Sequence, residues 1–165
     1  MLSTLLVQVP WLAFSVLIAV IIIGPFAGVW LARRPRATAT LLVVAVAGVA
    51  AFTLYPDGAP TRGITCNVGL PYLAPTAVES IANILMFVPV AFFAAIRWRR
   101  PVFAVLGASA FSAVIEVVQA LVLGIGRACD TSDWITNTLG AVIGGIVATV
   151  ALARRRRNGR RSPAE

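Results

Sequence analysis

Five apolar stretches, joined by connections that alternate between arginine-rich and arginine-poor, make up most of this chain. A helix rises about 1.5 Å per residue, so about 20 residues cross the roughly 30 Å of bilayer hydrocarbon. By that measure the spans are Pro10 to Leu31, Ala37 to Leu54, Val78 to Arg97, Pro101 to Leu123 and Trp134 to Ala153. Hydrophobic residues are 59% of the chain and charged ones 12%, too little polarity to coat a soluble domain. The expected fold class is all-α: an integral membrane helical bundle with about five transmembrane helices.

The arginines orient it. One block (Arg33, Arg34, Arg36) follows the first span, a second (Arg97, Arg99, Arg100) the third, and a third (Arg154 to Arg157, Arg160, Arg161) the fifth. With five spans all three fall on one side, which the positive-inside rule makes cytoplasmic, leaving the N-terminus outside and the C-terminus inside. The first apolar run lacks a positive n-region and is too long for a signal h-region, so it reads as a span. The expected organisation is one transmembrane domain, 1–153, and a basic, disordered cytoplasmic tail, 154–165. A net charge of +8 concentrated beside apolar spans is a topology signal, not a nucleic-acid-binding face. Abundant arginine, alanine and valine without lysine suggest a GC-rich bacterial genome. The expected location is therefore the bacterial cell membrane, with multiple passes, and the first partner is the lipid bilayer.

The outer side receives two connections, Tyr55 to Ala77 and Gly124 to Asp133. The first is turn-rich, with Pro56, Asp57, Gly58 and Pro60. Each carries one cysteine, Cys66 and Cys129, in a compartment that permits disulfides. A bridge between the loops is the expected pairing; free thiols or a metal pair are the alternatives, and two cysteines without histidine make a weak zinc site.

Polar residues recur at one depth under this face. Glu79 and Asn83 are four apart on the third span, and Asp133 and Asn137 four apart at the start of the fifth. On the fourth, Ser109, Ser112, Glu116 and Gln119 follow at intervals of three and four, with Glu116 roughly 10 Å below the outer end. Arg127 and Asp130 hang above them, and Arg62 lies in the other outer loop. Acids inside a membrane are costly and usually face a bundle interior or wet cavity, so the set is expected to line one outward polar pocket. Taken singly, Asp133 or Thr131 can instead cap a helix, and amides can join helices. Gly24, Gly28, Gly140 and Gly144 form small-xxx-small faces for close packing, while Pro25 and Pro89 can kink their spans.

These polar positions also carry a resemblance. NILMFVPV (Asn83 to Val90), IEVVQ (Ile115 to Gln119) and GRACDTSDWITNTLGAVIGG (Gly126 to Gly145) together resemble the VanZ-like membrane proteins. The likeness covers about residues 79–145 and departs at Val90 and Ala91, where many relatives have glycine soon after the proline. By resemblance, such proteins are associated with reduced susceptibility to lipoglycopeptides such as teicoplanin, though many members have no link to resistance. The resemblance points to Asn83, Glu116, Gln119, Arg127, Asp130, Asp133 and Asn137; Glu79 joins them on position alone.

Two chemistries fit the set. In the first, the pocket binds a lipid-linked envelope component or lipoglycopeptide, with Arg127 pairing an anionic headgroup and Glu116 anchoring a hydroxyl or amide. In the alternative, Glu116 with Asp130 or Asp133 supplies acid and base to a membrane hydrolase or transferase, or the acids hold Mg²⁺. The absence of histidine excludes a phosphohistidine mechanism. No metal motif of specific spacing occurs, and no cofactor or resident metal is expected. A transporter lacks support: the chain has no Walker-type loop, no two matching halves and no acid in the inner half of a span.

Overall fold

The computed structural model describes residues 11–56 and 63–160. Arg62 and Asp57 lie outside the described residues. Among the described residues five α-helices are present: α1 (Trp11–Leu31), α2 (Pro35–Thr53), α3 (Val78–Trp98), α4 (Pro101–Leu121) and α5 (Thr131–Arg160). Each is long and apolar enough to cross a membrane. The apolar residues left exposed are those a bilayer would cover: Ile22 and Ile23 on α1, Val43 on α2, Phe103 on α4 and Ile146 on α5.

The helix ends differ from the expected ones for identifiable reasons. Pro35 opens α2 at N1/N2, where its missing N–H costs nothing, so this helix starts two residues before Ala37. The turn before it is tied by the Thr38 hydroxyl, which donates to the carbonyls of Leu31 and Arg34. Arg99 ends α3 in the left-handed region at φ 56°, and Pro101 begins α4. That helix stops at Leu121 rather than Leu123; a 3-10 turn, Leu123–Ile125, follows and closes at Gly126, φ 72°. The last helix was expected from Trp134 to Ala153, but it runs from Thr131 through Arg160. The tail is thus helical through residue 160 rather than disordered. Arginine has high helix propensity, and positive charge at a C-terminus complements the helix dipole.

The helix α5 is the axis of the bundle and packs on α1, α3 and α4, while α2 lies on α3. Two glycine pairs let it do so. A Cβ at Gly140 would fall on the Ile84 carbonyl, and one at Gly144 on the Val88 carbonyl, so α5 rides directly on the α3 backbone. On the other flank, Gly24 and Gly28 of α1 receive Val147 and Ala151. Between these contacts the core fills with Phe87, Val88, Ala91, Ala95 and Ala148, each 2% exposed or less.

At the end opposite the arginine blocks, the two connections are joined. A two-residue strand, β1 (Cys66–Asn67), pairs in parallel with β2 (Cys129–Asp130), with Cys66 opposite Cys129. The two cysteines form a disulfide with their Cα atoms 4.5 Å apart. Among the described residues this two-stranded pairing is the one β element in an otherwise helical architecture.

Candidate functional site

The start of α5 organises the polar residues. Asp130 precedes the helix, and its carboxylate accepts a 2.8 Å bond from the Ser132 N–H, the N-cap arrangement. The cap is therefore Asp130, not Thr131 or Asp133. In a capping box the residue at N3 would reach back to the N–H of the cap residue itself. Here N3 is Asp133, and its Oδ1 instead accepts a 2.7 Å bond from the Asn83 side chain on α3. The Asp130 N–H goes to Glu116 of α4, donating to Oε2 at 2.7 Å. One helix start is thus completed by side chains of two others.

Glu116 lies level with the N-terminus of α5, five residues before α4 ends. The positive end of a helix dipole favours a carboxylate there, which explains how a buried acid is accommodated. Asp133 lies within electrostatic reach of Glu79, Glu116, Asp130 and Arg127. The bonds described use one oxygen of Glu116 and one of Asp133; a carboxylate can accept further donors on both oxygens.

Below this level Asn137, 3% exposed, donates a 2.9 Å bond to the Ser112 hydroxyl. Its amide oxygen is buried with no hydrogen-bond partner among the described residues. A lost partner for a buried polar atom costs about 1–3 kcal/mol.

Two expected members stand apart. Gln119 is turned toward α2, where its amide donates a 2.8 Å bond to the Thr53 carbonyl, an orphan acceptor at the helix end. Glu79 is exposed on the rim. Arg127 is half-buried in the connection leading to Asp130. Among the described residues no three acidic or cysteine side chains are grouped to hold a metal ion. The cysteine pair is occupied by its own bridge.

One participant carried no usable sequence signal. The Thr131 hydroxyl donates to the Gly69 carbonyl at 3.0 Å and accepts from the Gly69 N–H at 2.9 Å. With the disulfide, this fastens the longer loop over the start of α5. Val68 and Leu70, either side of Gly69, are 86% and 88% exposed. An unpaired loop glycine looks like any turn residue, so nothing in the sequence linked it to a threonine 62 positions on.

The sequence model of the VanZ/LLP1 family matches residues 11–152. No curated protein and no solved structure matches the chain.

Proposed function

The chain belongs to the VanZ/LLP1 family, and from that premise we propose that it binds or handles a lipid-linked envelope component or a lipoglycopeptide. The ligand would meet the polar cluster at the outer face of a bacterial cell membrane. The observation that carries this reading is the Asn137 amide, buried with an unmet oxygen beneath the carboxylates of Glu116 and Asp133. Hydroxyl and amide donors of a sugar or peptide headgroup match the acceptors of that cluster. Val68 and Leu70, held beside it by the Thr131–Gly69 pair, offer apolar contact to a lipid-bearing ligand. In this reading the positive-inside rule sets the orientation, with the arginine end in the cytoplasm.

Among the described residues several acids stand beside one arginine, Arg127, which favours a neutral, hydroxyl-rich headgroup over a bare phosphate. The test is teicoplanin susceptibility in a host expressing wild type, Glu116→Gln or Asp133→Asn at matched membrane levels. The expected result is reduced susceptibility with wild type and loss of that effect in both variants. Variants that protect as well as wild type would remove the cluster from the account.

A further inference from the structure

At the arginine end a second site is formed by the outer face of α5 and the start of α4. A pocket of about 460 Å³ is lined by Arg99, Arg156 and Arg157 above a floor that includes Leu152. An apolar groove of about 250 Å³ runs from it between α4 and α5, past Val105, Leu106, Val142 and Ile146. Pro101 and Thr149 line both, so the two adjoin.

The helical register makes this one surface. Along α5 the lining residues Ile146, Thr149, Leu152 and Arg156 follow at intervals of three and four, one stripe passing from apolar to cationic. The neighbouring arginines are engaged elsewhere. The Arg155 guanidinium donates to the Ala32 carbonyl at 2.8 Å, and Arg154 lies over the Phe26 ring at 4.5 Å. Arg99 belongs to a different turn of the chain and reaches the pocket from the left-handed end of α3. Three arginines from two elements therefore line the pocket beside the apolar groove.

We propose that this is a binding site for an anionic phospholipid. The headgroup phosphate is held among Arg99, Arg156 and Arg157, and an acyl chain lies in the α4–α5 groove. Guanidinium groups bind phosphate oxygens through paired N–H donors, and a cationic pocket beside a membrane-facing groove matches both ends of such a lipid. Charge complementarity and the adjoining apolar groove select an amphiphile, whereas a soluble anion would use the pocket alone. This site is independent of the polar cluster at the opposite end.

The experiment is native mass spectrometry of the full chain in detergent, titrated with phosphatidylglycerol or phosphatidylcholine, with inorganic phosphate as competitor. The wild type is expected to retain phosphatidylglycerol at least about tenfold better than phosphatidylcholine. Arg156→Gln/Arg157→Gln should abolish that preference, while Arg36→Gln, which removes an arginine at the same end but outside the pocket, leaves it intact. Val142→Trp, which fills the groove, should weaken phosphatidylglycerol without touching any arginine. Circular dichroism and gel-filtration profiles matching the wild type exclude misfolding as the cause. Equal retention of the two lipids, an equal loss in Arg36→Gln, or displacement by millimolar phosphate would each overturn the proposal. The last would mark a free-anion site in place of a lipid site.

Discussion

Glu116 and Asp130 complete a helix cap across two helices: the α4 carboxylate accepts the backbone N–H of the residue that caps α5. The usual N3 residue, Asp133, is released from that duty and bonds Asn83 instead. Three helices are thereby fixed to one another at one point, and two carboxylates are held there in defined orientations.

The cap predicts a split between two Glu116 variants. Glu116→Ala leaves the half-buried Asp130 N–H without its acceptor, a loss of about 1–3 kcal/mol. In Glu116→Gln the amide oxygen still accepts that bond, so most of the stability is retained while the charge is gone. Thermal or denaturant unfolding in detergent distinguishes the two; equal destabilisation by Ala and Gln would mean that the charge, not the bond, matters.

Gly140→Ala and Gly144→Ala should be the most damaging of the small substitutions. Each puts a methyl group into the α3 backbone, and backbone cannot yield as a side chain can. Overpacking of this kind costs about 1–3 kcal/mol, and the two together should separate α3 from α5. Gly48→Ala and Gly107→Ala meet nothing within 4 Å. They should be neutral or stabilising by up to about 1 kcal/mol through helix propensity. Unfolding midpoints of the four single variants settle the ranking.

Reduction of Cys66–Cys129 frees a loop of sequence separation 63. In the chain-entropy model that lowers stability by about 4 kcal/mol. The helices have their own packing, so the effect should be local. Hydrogen exchange through local opening should rise at residues 63–69 and 126–131, whereas amides of α3 lose protection only through global unfolding. Non-reducing peptide mapping of the untreated protein should recover the two cysteines joined.

Gln119→Leu should act on the fold and not on ligand recognition. It removes the donor to the Thr53 carbonyl, worth about 1 kcal/mol, and loosens α2 from α4. Measured by melting temperature and by teicoplanin susceptibility, it should lower the first and spare the second. Asp133→Asn should show the opposite pattern.

The spans were legible because a membrane imposes length and hydropathy on each helix separately. Their ends were less so, since the start at Thr131 is set in part by a bond from a distant residue, Glu116. The start of α5 depends on Asp130 finding Ser132 and Glu116, and spacing within one span carries no record of the second contact. For the candidate site, period and order gathered Asn83, Glu116, Asp130, Asp133 and Asn137, since three- and four-residue spacing fixes a helix face. Which partner each would choose did not follow from that spacing. Gln119 shares its face with Glu116, yet a carbonyl at the end of α2 claims it. The α5 arginines read as a topology anchor, and only the fold shows which two, Arg156 and Arg157, share a pocket with Arg99.

The most direct test of the central claim is ligand binding to the purified protein in nanodiscs. Teicoplanin and a lipid-linked envelope precursor serve as separate probes, with the wild type compared against Glu116→Gln. The account predicts saturable binding of at least one probe to the wild type and at least about tenfold weaker binding to the variant, the loss of one charge-assisted hydrogen bond. Binding that is unchanged by Glu116→Gln, or absent for both probes in well-folded wild type, would contradict it.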